Sequence, residues 1–169
     1  MKVKLIYIGK NRDENLEKLV NKYKKRINYY LNFDIIQIKS KILNPEKSLI
    51  QSHEAELLLK NVDEDENIVL LDEKGENYTT NDFVIFFNES ILNRNKSLTF
   101  VIAGAYGFSE KIKMKFKKSI SLSNMTLTHD MARLVLVEQI YRSLTIIKNI
   151  PDYDNYSKKS NFEKYLGKY

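Results

Sequence analysis

Cysteine and tryptophan are absent from this chain of 169 residues, and histidine occurs only twice, as His53 and His129. Without cysteine there is no disulfide scaffold, no zinc–thiolate site and no thiol nucleophile. Two histidines exclude a histidine-rich metal centre. Glycine (5) and proline (2) are scarce, so few breaks punctuate the chain. No apolar run approaches the ~20 residues of a membrane-spanning helix, and the N-terminus lacks the apolar core of a signal peptide. The expectation is a cytoplasmic protein. What is present suits one globular domain. Hydrophobic residues make up 43% of the chain, too many for a disordered segment and enough for a single core. The 28 basic and 22 acidic residues give a net charge of +6. A basic excess favours an acidic partner such as nucleic acid. A coding bias toward Lys, Asn and Ile produces the same excess without selection for RNA.

Short apolar runs alternate with amphipathic stretches. Val3 to Ile8 ends at Gly9 and reads as a buried strand. Asn11 and Glu14 have capping-box spacing. Leu16, Leu19, Val20, Tyr23, Ile27, Tyr30 and Leu31 then recur at helical spacing. Phe33 to Ile38 reads as a second strand, and Asn44-Pro45 as the opening of a second helix. That helix carries Leu49, Ile50, Leu57, Leu58 and His53 on one face. Ile68 to Asp72 shows no alternation, as expected of a strand covered on both sides. Lys74-Gly75-Glu76-Asn77 reads as a turn, and Thr79 or Thr80 as the cap of a helix reaching about Leu92. Leu98 to Ala103 is a fourth strand, followed by a helix from about Ser109 and a short strand from Ile120 to Leu122. The last strong helix runs from near His129 to about Lys148, ahead of Pro151. This alternation specifies an α/β domain with a mostly parallel sheet flanked by helices, over residues 1–150. Residues 151–169 form a polar, tyrosine-rich tail.

Ligands of such sheets sit beyond the carboxyl ends of the strands. Three loops there are unusual: the one at Gly75, Gly104 to Gly107, and Ser123 to Thr128. Dinucleotide, P-loop and nucleophile-elbow signatures are all missing. Ala103-Gly104-Ala105-Tyr106-Gly107 reads either as close backbone approach to a ligand or as a tight strand-to-helix turn. Ser121 to His129 offers hydroxyls and N–H groups before a helix N-terminus, with Thr128 also readable as a plain cap. On the last helix, Glu138 and Arg142 are spaced to pair, and read as a core or subunit-interface feature. Arg133 shares a face with His129 and is the candidate for substrate contact. Lys111, Lys113, Lys115, Lys117 and Lys118 read equally as an RNA-phosphate patch or as a solvated helix face.

Three ordered motifs carry a family likeness. The longest runs from Ser121 to Arg142 and includes Ser121-Leu122-Ser123, Met125-Thr126, His129, Arg133, Glu138-Gln139 and Tyr141-Arg142. The others are Leu71-Asp72-Glu73-Lys74-Gly75 and Phe100 to Phe108, with Ile8-Gly9-Lys10 also in place. Over about residues 1 to 150 the chain resembles the bacterial ribosomal large subunit methyltransferase H family, of the SPOUT class. The resemblance implies a C-terminal deep trefoil knot, a homodimer, and S-adenosylmethionine as cofactor without a catalytic metal. By position, the cofactor site would comprise Leu71, Ala103, Gly104, Leu122, Ser123, Asn124, Met125, Thr126 and Leu127. The implied substrate is a pseudouridine of 23S rRNA on the assembled 70S ribosome, methylated at N3.

Two positions depart from the family pattern. Ala103 stands where the family has the first glycine of a Gly-Gly loop. Near the C-terminus, Tyr153 matches a tyrosine, but Asp154 stands where a histidine is usual. Together with Arg133, Tyr153 and Asp154 are the candidate catalytic residues. The changed ending keeps two alternatives open: a ribosome-docking protein with weakened catalysis, or a SPOUT methyltransferase acting on another RNA.

Overall fold

The computed structural model describes residues 2–41, 46–63, 66–92 and 97–150. The expectations for Asn44-Pro45, Pro151, Tyr153, Asp154 and the tail lie outside these residues. Ten elements alternate: β1 (Lys2–Ile8), α1 (Glu14–Asn28), β2 (Asn32–Ile38), α2 (Lys47–Leu59), β3 (Asn67–Asn77), α3 (Thr80–Leu92), β4 (Leu98–Ile102), α4 (Glu110–Lys115), β5 (Ser119–Ser121) and α5 (His129–Ile147). The strands form one sheet in the order β2-β1-β4-β3-β5, and every pairing is parallel.

β4, most of β1 and the first half of β3 are covered on both faces, which is why they lack alternation. On β1, Val3, Leu5 and Tyr7 face one cluster with residues of α1, α3 and α5. Ile6 and Ile8 face a second cluster with Ala55 and Leu58 of α2 and Ile112 of α4. Helix α5 is apolar nearly all round because it packs among other elements. Its Leu136, Val137, Ile140 and Leu144 join the first cluster, with Val20 and Ile27 of α1 and Phe83 and Phe87 of α3.

Caps follow local chemistry, with one correction. Asp13, not Asn11, caps α1, accepting from the N–H groups of Asn15 and Leu16. Asn11 instead accepts a 2.7 Å hydrogen bond from the Tyr7 hydroxyl. The helix also stops at Asn28, three residues short of the last apolar position. Thr79 closes a reciprocal box with Asp82, and Thr128 accepts from the Met131 N–H.

The turn expected at Lys74–Asn77 is a second correction. β3 runs on to Asn77, with a register shift between Leu71 and Glu76, both of which lie opposite Ile120. Residues 72–75 bulge between two paired stretches. Gly75 sits where β5 passes: a Cβ there would lie 2.6 Å from Ser119 Oγ and 2.7 Å from the Ile120 backbone. Gly75→Ala should therefore destabilise the fold by roughly 1–3 kcal/mol, the usual cost of forcing atoms into packed space. Urea unfolding measures this, and an unchanged midpoint would contradict the close approach.

The lysine run divides. Lys113 pairs with Asp72 at 2.8 Å, and Lys118 pairs with Glu76 at 2.8 Å. Lys118 also lies 4.9 Å from the Tyr78 ring centroid. These two clip α4 and β5 to β3. Lys111, Lys115 and Lys117 are exposed.

Candidate functional site

β4 lies between β1 and β3, where the strand order reverses, so a crevice opens beyond its carboxyl end. A cavity of about 440 Å³ occupies that place. This lies within the range typical of small-molecule sites, about 300–1,000 Å³. Three segments build its wall: Leu71 to Glu73 of β3, Ile102 to Phe108 after β4, and Ile120 to Leu127 except Asn124. Lys47, His129 and Ala132 complete it. The loops expected to converge do so, although Gly75 itself is not in the wall.

Local hydrogen bonds shape the rim. Ser121 Oγ donates to the Ser123 carbonyl at 2.8 Å, and Ser123 Oγ accepts from the Met125 N–H at 2.9 Å. Thr126 Oγ1 donates to Glu73 at 3.0 Å, joining the third loop to β3. The Gly107 N–H donates to the Gly104 carbonyl at 3.0 Å, and Gly107 has φ of 73°. The middle loop is thus a tight turn and a cavity wall at once. The tight-turn reading of its sequence holds.

Eight of the nine residues expected at a cofactor site line this cavity: Leu71, Ala103, Gly104, Leu122, Ser123, Met125, Thr126 and Leu127. Asn124 is exposed and is not part of the wall. Ala103 is 7% exposed and packs with the Ile6, Val101 and Phe108 cluster, so its methyl group has a place in the core.

Arg133 lies elsewhere than expected. Its side chain is fully buried and outside the cavity wall. Nη1 donates to Glu17 at 2.8 Å, Nη2 donates to Asp130 at 2.7 Å, and the guanidinium lies 4.4 Å from the Tyr7 ring centroid. Asp130 also accepts from the N–H groups of Arg12 and Asp13 at 3.2 Å each. This network ties the β1–α1 loop to the start of α5. Arg133 is therefore a fixed internal cation, and its buried guanidinium presents no surface to a substrate.

Titratable groups at the wall are biased by their surroundings. Burial pushes His129 below its ordinary value; Asp130 opposes this, and Arg12 and Arg133 add to it. Burial alone would raise Asp72, but Lys113, the Lys74 N–H and the Lys74 charge hold it below the usual carboxylate range. The wall thus carries an ionised carboxylate at Asp72 and an imidazole held toward its neutral form. Glu138 and Arg142 pair as their spacing suggested, with Arg142 Nε donating to Glu138 at 2.8 Å. Among the described residues no cluster of three or more His, Asp or Glu could hold a metal ion. None of the described helices is long and apolar enough to cross a membrane.

Sequence reasoning missed Lys47, Gln51 and Glu54. All come from α2, whose residues read as an ordinary helix with an apolar stripe. No local signal marks Gln51 and Glu54, because the loop they meet lies some fifty residues away in the chain.

The family model described as "Predicted SPOUT methyltransferase" matches residues 1–153. A ribosomal RNA large subunit methyltransferase H of Christiangramia forsetii is 39% identical over 153 residues, covering 89% of this chain and 98% of that protein. Its namesake from Dictyoglomus thermophilum is 40% identical over 151 residues, with the same shares covered. A solved structure, described as a probable methylase family protein from Haemophilus influenzae Rd KW20, superposes with a TM-score of 0.54 at 11% identity. That match covers 87% of this chain and 66% of the other, and it speaks for the fold alone.

Proposed function

The chain belongs to the SPOUT methyltransferase family and is a ribosomal RNA methyltransferase, and from that premise we propose that it methylates N3 of a pseudouridine in 23S rRNA on the assembled 70S ribosome, with S-adenosylmethionine as donor. The observation that carries this reading is the convergence of three strand-end segments on one cavity of about 440 Å³. The residues suit such a donor. Leu71, Ile102, Ala103 and Ile120 supply an apolar floor, and the 121–127 segment supplies hydroxyl and backbone groups at the rim. When bound, the sulfonium supplies a methyl group activated for in-line displacement.

Methylation at N3 would require the N3 proton to pass to a group of the protein or to solvent. The protein's part is then mainly positioning. The loops on both sides of the cavity would hold the donor. His129, held toward the neutral form, is available at the wall to receive a proton.

A deep trefoil knot fits the course of the 121–127 segment. It passes beside both other loops, is tied to Glu73 by Thr126, and leads into α5 across the sheet. A homodimer and a cytoplasmic setting complete the proposal. From the family likeness alone, Tyr153 and Asp154 stay as candidate catalytic residues, and Asn124, although outside the cavity wall, stays as a candidate at the cofactor site. Arg133 acts behind the site through Asp130.

The test is transfer of tritiated methyl from S-adenosylmethionine to 70S ribosomes lacking only this modification, with the nucleoside identified by mass spectrometry. N3-methylpseudouridine is the expected product. Cofactor binding without product would favour a docking protein or another RNA target, the readings that the changed ending of the sequence motivates.

A further inference from the structure

One turn of α2 faces the Gly104–Gly107 loop without reaching the cavity. Gln51 and Glu54, spaced i,i+3, lie on the same face of that helix. The Gln51 amide donates to the carbonyls of Tyr106 at 2.9 Å and Phe108 at 3.3 Å. The Glu54 carboxyl packs directly behind Gly104, where a Cβ would overlap both its oxygens. Start and end of the loop are thus both held by α2.

Glu54 is an expensive residue in this position. It is 8% exposed, has no cationic partner in hydrogen-bond contact, and its Oε2 has no hydrogen-bond partner among the described residues. Its neighbours Ala55, Leu58, Phe108 and Ile112 are apolar. Burial pushes its affinity for a proton up, against the Gly104 N–H, the His53 charge and Ser40. A leucine would fill such a space without the cost of an unpaired polar atom. Glu54 differs from leucine in setting a polar carboxyl group directly behind Gly104, in the loop that walls the cavity.

We propose that Gln51 and Glu54 are positioning residues of the donor site: they fix the Gly104–Gly107 loop from behind and so set the affinity for the methyl donor without touching it. This rests on the assignment of the cavity to that donor. Supporting groups of this kind hold a site to within about 0.5 Å of its working geometry.

The test uses the full chain and S-adenosylhomocysteine, the stable demethylated form of the donor, in isothermal titration calorimetry, with thermal unfolding and circular dichroism alongside. Glu54→Ala should weaken binding about tenfold or more, the weight of a hydrogen bond to a carboxyl group. Glu54→Gln keeps the shape and an acceptor oxygen behind Gly104 and should stay within roughly threefold of wild type, a rescue that a carboxylate needed for its charge would not allow. Gln51→Ala, at a less buried position, should weaken binding about three- to tenfold. In steady-state methyl transfer these losses should appear in KM for the donor, with kcat changed by less than about twofold. Wild-type affinity in folded Glu54→Ala, or in Gln51→Ala should the first variant fail to fold, overturns the proposal. So does a Glu54→Gln variant as weak as Glu54→Ala. A wild-type chain without affinity for S-adenosylhomocysteine overturns the cavity assignment itself, and this inference with it.

Discussion

Arg133→Met should lower the unfolding free energy by about 3–5 kcal/mol, the cost of breaking a buried ion pair from one side. Methionine fills much of the volume, so packing is a minor part of the loss. The larger part is what stays behind. Asp130 is 8% exposed and would keep only two 3.2 Å backbone contacts, and Glu17 would lose its cation and keep only the Asn21 amide. The Tyr7 ring would also lose the cation lying 4.4 Å from its centroid. The pH dependence separates charge from packing. Burial would raise Asp130, but Arg133 and the backbone N–H groups of Arg12 and Asp13 hold it below its ordinary value. A carboxyl depressed in the folded state stabilises above its unfolded value, and that stability is lost as pH falls through the folded value. The gap between wild type and Arg133→Met should therefore be full at pH 7 and shrink below about pH 4. Urea unfolding at both pH values measures it. A gap that persists in acid would place the loss in packing, and the network would not be the electrostatic tie between α1 and α5.

Arg133 also shows where a sequence stops being informative. Helical spacing puts His129 and Arg133 on a shared face, and the α5 N-terminus does bring them close. His129 reaches the cavity wall, while Arg133 turns to Glu17, which lies 116 positions away in the chain. Periodicity gives a face but not what lies opposite it. The strands were legible for the reverse reason. A parallel sheet buried on both sides imposes unbroken apolar runs, and β1, β2 and β4 each ended within a residue of the expected place. Gly75 was misread because its requirement is a crossing strand rather than a turn. Asn11 and Asp13 are both acceptable caps, and only the Tyr7 hydroxyl decides between them. The cavity was largely legible because small and hydroxyl residues cluster at strand ends. Its support from α2 was hidden in a helix that looked ordinary.

Gly104→Val should weaken donor binding by about a hundredfold or more, the scale on which a 1 Å misplacement of a site acts. The cause is space rather than backbone freedom. A Cβ on Gly104 would overlap both carboxylate oxygens of Glu54. That carboxyl ends a flexible side chain beside a small cavity lined by Ala55, Leu58 and Phe108, so it can swing aside. Doing so takes it from behind the loop, whose other side is the cavity wall, and the larger valine displaces it further than alanine does. Gly107 offers an internal contrast. It has φ of 73°, the region where glycine is usually thought indispensable, yet a Cβ there would meet nothing within 4 Å. Gly107→Ala carries only the roughly 1–2 kcal/mol of a left-handed residue with a side chain. The glycine with positive φ should thus be the more tolerant for donor binding, and Gly104 the less tolerant even toward alanine. Titration of S-adenosylhomocysteine into Gly104→Ala, Gly104→Val and Gly107→Ala ranks the three directly. If Gly107→Ala binds more weakly than Gly104→Ala, backbone conformation governs this wall of the site, and the contact between Gly104 and Glu54 does not.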